Sequence, residues 1–441
     1  MRKAFVFFLT FILPHTGLIS GQAKEKEKMK EGWSFGFFPA FGYDPNTGVK
    51  YGGILKLYDY GDGSSYPRFN QNIHFELSRT SKGSGINQLV YDTRTLIPGI
   101  RMMAEASYLT EKALNFYGFN GYNSYYNPGY TNSSDPLYRS AVFYHMERAM
   151  IKTRLEFIGK WKGNYLKWFG GIEYLNIRVD TVDVNNINKG RDKDDLLPFI
   201  GGGLYGNYIK WGLIPGDQAD GGQTFLFKIG AMYDTRDRET NPMKGIYTDL
   251  QLLLVPGFLS DGYSFSRMAF THRQYFTLLP QTINLACRFS YQAGLTGEMP
   301  FYMLPLVFNS APQVTLSGLG GSKTLRGMLR NRLVGKDFIY GNIELRWKVF
   351  RTIILNQNFY IALAGFTDAG MITGKYKLPE ITDSEGIAWL ALGDKEELHV
   401  TYGGGAHFVI NDNFVITMDY GWAADPRDGS KGTYIGVGYL F

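Results

Sequence analysis

Apolar and polar residues alternate with period two along most of the chain. Ile73, Phe75 and Leu77 alternate with Asn72, His74, Glu76 and Ser78. Ile339, Ile343, Leu345 and Trp347 alternate with Tyr340, Asn342, Glu344, Arg346 and Lys348. That period is the mark of a strand with an apolar environment on one face only. Such segments begin near Trp33, Val49, Asn70, Ile86, Ile100, Ser140, Tyr165, Thr224, Gly245, Tyr263 and Thr282. Five more begin near Phe338, Asn358, His399, Asn413 and Gly432, which makes sixteen. Two stretches are ambiguous: Met146 to Phe157 could pass as a helix, and Ser384 to Leu392 reads as a short helix within a loop. No linker composition interrupts the series, so residues 33–441 read as one domain.

Composition decides which β-protein this is. No run of 18 apolar residues follows the N-terminus, which excludes a helical membrane protein. The chain carries 54 Gly, 31 Tyr, 32 Phe and 7 Trp. That surplus favours a transmembrane barrel, whose strands show an apolar band flanked by aromatic girdles. Connection lengths give an independent test. In such a barrel the turns on one side are tight and the loops on the other are long. Thr110 to Arg139, Asp183 to Gln223, Ala293 to Asp337 and Thr373 to Leu398 are long. Ile97 to Gly99, Lys160 to Asn164, Leu278 to Gln281 and Ile410 to Asn413, of opposite parity, are tight. The expected fold is all-β, a 16-stranded antiparallel transmembrane barrel with both termini on the tight-turn side.

The first residues read as an address. Arg2 and Lys3 precede an apolar run from Ala4 to Leu13, then Pro14 and the small-residue stretch Ser20 to Ala23. This is the order of a secretory signal, with cleavage expected after Ala23. Residues 24–32 then form a short charged tail. Net charge is +6, and +4 without Arg2 and Lys3, too weak to argue for nucleic acid. Cys287 is the single cysteine, so no internal disulfide or Cys-based metal site is expected.

Three motifs carry a resemblance. Tyr233-Asp234-Thr235-Arg236-Asp237, followed by Asn241-Pro242-Met243-Lys244-Gly245, lies at a turn between strands. Leu319 to Met328, with Leu325-Arg326-Gly327-Met328 at its end, lies in the long loop before the twelfth strand. Phe366-Thr367-Asp368-Ala369-Gly370 ends the thirteenth. Together they resemble the barrel of the BamA/TamA superfamily (bacterial surface antigen family), over nearly the whole mature chain. The final strand, with Tyr439 and Phe441 at its end, resembles the terminal strand of bacterial outer-membrane barrels. The chain departs from the family in two respects. No segment reads as a periplasmic POTRA domain, and Met328 stands where an aromatic is usual.

The resemblance implies an outer-membrane location in a Gram-negative-type bacterium and a family role in protein insertion or two-partner secretion. It also directs attention to particular residues. Glu344 lies on the polar face of the twelfth strand. On the thirteenth, Asp368 shares parity with Tyr360, Ala362, Ala364 and Phe366, so both carboxylates point inward. Arg326 sits in a loop long enough to fold into the lumen, and its planar fork suits carboxylates. The expectation is Arg326 bonded to Glu344, Asp368 or both. Gly36, Pro39, Gly436 and Gly438 would weaken the seam between first and last strands.

Other chemistry finds less support. Gly201 to Gly206 matches a dinucleotide fingerprint without a βαβ unit around it. No G-x-S-x-G elbow exists, and the histidines lack metal spacing. No cofactor, metal, nucleic-acid partner or catalytic residue is expected. The leading reading is a non-enzymatic barrel assisting insertion or translocation of polypeptides. Its partners would be outer-membrane lipids, client outer-membrane or secreted proteins, and a periplasmic or membrane partner protein. The alternative is a loop-plugged solute channel or a surface-exposed accessory subunit.

Overall fold

The computed structural model describes residues 31–45, 47–64, 66, 68–308, 316–354, 357–410 and 414–441. The expected signal segment and most of the 24–32 tail lie outside the described residues.

Sixteen strands close into an antiparallel barrel. The first, β1, comes in two pieces, Trp33–Pro39 and Gly42–Asp44. β2 (Gly48–Asp59), β3 (Gln71–Thr80), β4 (Gly85–Ile97) and β5 (Ile100–Asn115) follow as a meander. Then come β6 (His145–Lys162), β7 (Leu166–Thr181), β8 (Gly221–Asp234), β9 (Gly245–Val255), β10 (Phe265–Leu279) and β11 (Ile283–Gly297). β12 (Asp337–Ile354), β13 (Gln357–Gly374), β14 (His399–Ile410), β15 (Phe414–Ala423) and β16 (Lys431–Val437) complete the wall. Each strand pairs with the next in sequence.

The two faces of each strand sort as alternation requires. On β12, Ile343, Leu345 and Trp347 are about half exposed, whereas Asn342, Glu344 and Arg346 are buried. On β3, Phe75 and Leu77 face outward while Glu76 and Ser78 are buried. The interior of this molecule is therefore polar, and its outer wall is apolar.

Met146 to Phe157 is strand: it belongs to β6, which starts at His145, after the expected Ser140. Several strands exceed the expected length of about ten residues; β6, β12 and β13 have 18 each. The short helix in the loop before β14 is present as Ser384–Leu390. Gly201 to Gly206 leads into a helix at Gly203–Lys210, with no nucleotide-binding strand beside it.

Above the long-loop end the connections build an aromatic cap. Phe116, Phe119, Tyr144, Tyr205, Tyr208, Phe301 and Trp389, from four different loops and their flanks, pack in one buried cluster. Edge-on contacts such as Phe116 to Tyr208, at 5.2 Å between ring centroids, recur through it.

Closure between β1 and β16 is thin. One residue pair, Ile435 opposite Tyr43, joins them. The Trp33–Pro39 piece pairs with β2 through seven residues, and among the described residues no strand pairs with its other edge. Gly36 faces Lys56 and Pro39 faces Gly53, both on β2. Gly436 faces Thr417 on β15. Gly36 and Pro39 thus lie on the piece ahead of the seam pair, and Gly436 directly follows its Ile435. The seam is thin because β1 breaks at Ala40 and Phe41 and because β16 stops early. Alternation suggested that β16 runs through Tyr439 to Phe441. Instead the strand ends at Val437, and Phe441 is buried. Gly438 makes the turn at φ +86°, a conformation that costs glycine little.

Candidate functional site

The β11–β12 loop returns across the inward faces of the wall. Arg326 is 1% exposed and meets three strands. Its Nε and Nη2 donate to Oδ2 and Oδ1 of Asp368 on β13, both at 3.0 Å, a two-pronged contact. Its backbone N–H donates to the same carboxylate at 3.0 Å. Nη1 donates to Glu344 Oε2 on β12 at 2.6 Å, and to Asp419 Oδ2 on β15 at 3.4 Å. The guanidinium lies over the Phe366 ring, 3.5 Å from its centroid.

The carboxylates have further partners. Glu344 also accepts from Arg346 Nε at 2.7 Å, and Asp419 lies 3.0 Å from His407 Nε2. Each carboxylate of the cluster thus meets a guanidinium or ring nitrogen, which is how buried charge is tolerated.

The neighbouring loop residues explain the rest of the motif. Gly327 has φ +99°, and a Cβ there would stand 2.6 Å from the Gly421 carbonyl carbon and the Trp422 nitrogen on β15. Only a residue without a side chain lets the loop cross that strand so closely. Its N–H donates to the Tyr434 hydroxyl on β16 at 3.0 Å. Leu325 and Met328 are buried with Leu319, Leu333, Phe338 and Ile372. Gly370 leaves room for Leu319, whose Cδ1 would lie 3.2 Å from an added Cβ.

The same loop is held on the other side of the barrel. Arg330 and Arg148 both donate to the Glu111 carboxylate at the end of β5. Asn331 Nδ2 donates to the Asn115 carbonyl at 2.6 Å. Arg332 donates to three loop carbonyls, those of Gly121, Ser124 and Arg427.

The turn motif is elsewhere. Asp234 receives Nε and Nη2 of Arg236 at 2.9 and 3.0 Å, and Asp237 Oδ1 accepts the Met243 N–H at 3.0 Å. Gly245, at φ +109°, would collide with the Thr235 carbonyl if it carried a side chain. This β8–β9 turn folds back over the lumen at the tight-turn end, where Asn241 donates to the Tyr360 hydroxyl and Pro242 accepts from Asn284. It does not touch Arg326. Asp419, Gly421, Tyr434 and His407 were not singled out from sequence. Asp419 shares inward parity with Val415 and Thr417, and that parity was the available signal.

Residues 70–441 match the Omp85 superfamily domain. The chain belongs to the Omp85 superfamily. Among solved structures, this Omp85 barrel is similar to BamA from Haemophilus ducreyi lacking POTRA domains 1–3, with TM-score 0.52 and 14% identity. That match covers 93% of this chain and 70% of the other. It is also similar to CdiB from Escherichia coli, with TM-score 0.55, 12% identity, and coverage of 93% and 63%. At such identities the likeness is one of fold, and the barrel spans less than two thirds of the CdiB chain. No curated protein matches the sequence.

Proposed function

We propose that this Omp85 barrel assists insertion or translocation of polypeptides at the outer membrane of a Gram-negative-type bacterium, without enzymatic chemistry. On this reading residues 1–23 are the signal, 24–32 a periplasmic tail, and 33–441 the membrane domain with the β11–β12 loop lodged in its lumen. Its partners are membrane lipids, client polypeptides and a protein that presents those clients. The observation that carries the proposal is the seam. One residue pair closes it, and among the described residues no strand pairs with the outer edge of Trp33–Pro39. In hydrocarbon, unpaired backbone groups cost several kcal/mol each, so such an edge is a ready template for an incoming strand. The exposed rings of Phe35 and Phe37 on that piece keep it at membrane depth.

A solute channel is the competing reading, but the aromatic cap covers the outer mouth and the loop crosses the interior. Two measurements separate the readings. Tyr43→Cys and Ile435→Cys, in a Cys287→Ser background, should form a disulfide across the seam. Locking it should slow client assembly, with recovery on reduction. Unimpaired assembly in the locked form, together with steady conductance of the purified protein in planar bilayers, would overturn the proposal.

A further inference from the structure

A buried histidine ties the loops of the outer cap together. His399 is the first residue of β14, at its long-loop end, and is 0% exposed. Its Nδ1 lies 2.7 and 2.9 Å from the two carboxylate oxygens of Asp428, in the β15–β16 loop. Its Nε2 lies 3.3 Å from both oxygens of Glu396, in the β13–β14 loop. Tyr122, in the β5–β6 loop, bridges the same two acids. Its hydroxyl donates to Asp428 and its N–H to Glu396, both at 2.8 Å. The Tyr122 and His399 ring centroids are 3.9 Å apart, and the Arg427 guanidinium lies 3.8 Å from the Tyr122 centroid. From the β11–β12 loop, Leu329 donates its N–H to the Asp428 carbonyl, and Arg332 Nε comes within 4.0 Å of the Asp428 carboxylate. Asp425, paired with Arg427, completes the charged surroundings.

We propose that a proton on His399 latches the cap. Carried, it fastens the β5–β6, β13–β14 and β15–β16 loops over the outer mouth; given up as pH rises, it lets them part. A neutral imidazole has one N–H and would turn a lone pair toward the second carboxylate. Only the imidazolium donates to Asp428 and Glu396 together. Burial opposes the charged ring, but its bonds to Asp428 and Glu396 outweigh that and hold its pKa above the ordinary 6.5. These partners lie in loops, outside the membrane span. The latch therefore contributes fully below pH 6.5 and is lost as pH rises through the higher folded value. Loss of the proton leaves the two acids facing a ring that can serve only one of them, with Arg332 and Arg427 the remaining cations nearby. The latch stands independently of the seam and of any action on client polypeptides.

The test is hydrogen exchange on the full chain in detergent, corrected for the intrinsic pH dependence of exchange. Between about pH 6 and about pH 9, protection of peptides containing Tyr122, Glu396 and Asp428 should fall about tenfold or more, while peptides of β12 hold theirs. His399→Gln should show the lower protection at both pH values, with no transition between them. Glu396→Gln keeps an oxygen for a backbone N–H but removes one charge from beside the ring. Its transition should move to lower pH, a shift that a merely structural role for the carboxylate would not produce. Protection that is independent of pH in the wild type, or a transition that persists in His399→Gln, would overturn the proposal. Should His399→Gln fail to fold, Glu396→Gln decides: a midpoint equal to that of the wild type refutes the latch.

Discussion

Removing the Arg326 side chain is the most informative single change. In Arg326→Ala, Asp368 loses both guanidinium bonds and keeps only the Arg326 backbone N–H. Glu344 retains Arg346, so the variant orphans one buried carboxylate rather than two. Breaking a buried pair on one side costs about 3–5 kcal/mol. Lost stacking on Phe366 adds roughly 1–2 kcal/mol in a desolvated setting. The folded barrel should therefore convert to its unfolded gel form at a clearly lower temperature, and amide exchange across Leu319 to Met328 should rise. Arg326→Lys should recover only part of the loss, because an ammonium cannot span both oxygens of Asp368. Adding Asp368→Asn to Arg326→Ala should also recover part. A neutral unsatisfied amide costs about 1–3 kcal/mol, less than an unpaired charge. If Arg326→Ala matches the wild type in both conversion temperature and loop protection, the ion cluster does not hold the loop and the reasoning fails.

Gly327→Val should be worse than Arg326→Lys. It combines a positive φ, which costs about 1–3 kcal/mol, with contact against the β15 backbone; heat conversion of the folded band checks this. Glu111→Ala should release Arg330 and Arg148 together, at about 3–5 kcal/mol. It should expose the loop to trypsin while Arg326 stays protected, and simultaneous exposure of both would contradict two separate anchors. Asn241→Ala should loosen only the β8–β9 turn. Hydrogen exchange there should rise while that of residues 316–336 stays constant.

Much of the wall was legible because period two is imposed wherever one face meets lipid. All sixteen strand starts lie within a few residues of the observed ones, and Glu344 and Asp368 could be oriented by counting from Ile343 and Leu363. What escaped had no period to betray it. The aromatic cap gathers Phe116, Tyr208, Phe301 and Trp389 from loops far apart in sequence. Asp419 was readable in parity, but nothing marked it as a partner of Arg326 until β15 and β13 were placed around one loop. The tail misled for a different reason. Alternation continues unbroken from Thr433 to Phe441, so it cannot show that the backbone leaves the wall at Gly438.

The loop between β11 and β12 ties opposite walls of a closed ring. One end of the tie grips β12, β13, β15 and β16 through Arg326 and Gly327; the other grips β5 and β6 through Arg330, Asn331 and Arg148. A ring braced across its diameter cannot widen uniformly. Between the two grips on the seam side lie β1 to β4, with the thin junction at their margin. A load that widens the barrel therefore meets its weakest ladder there, while the braced strands keep their spacing.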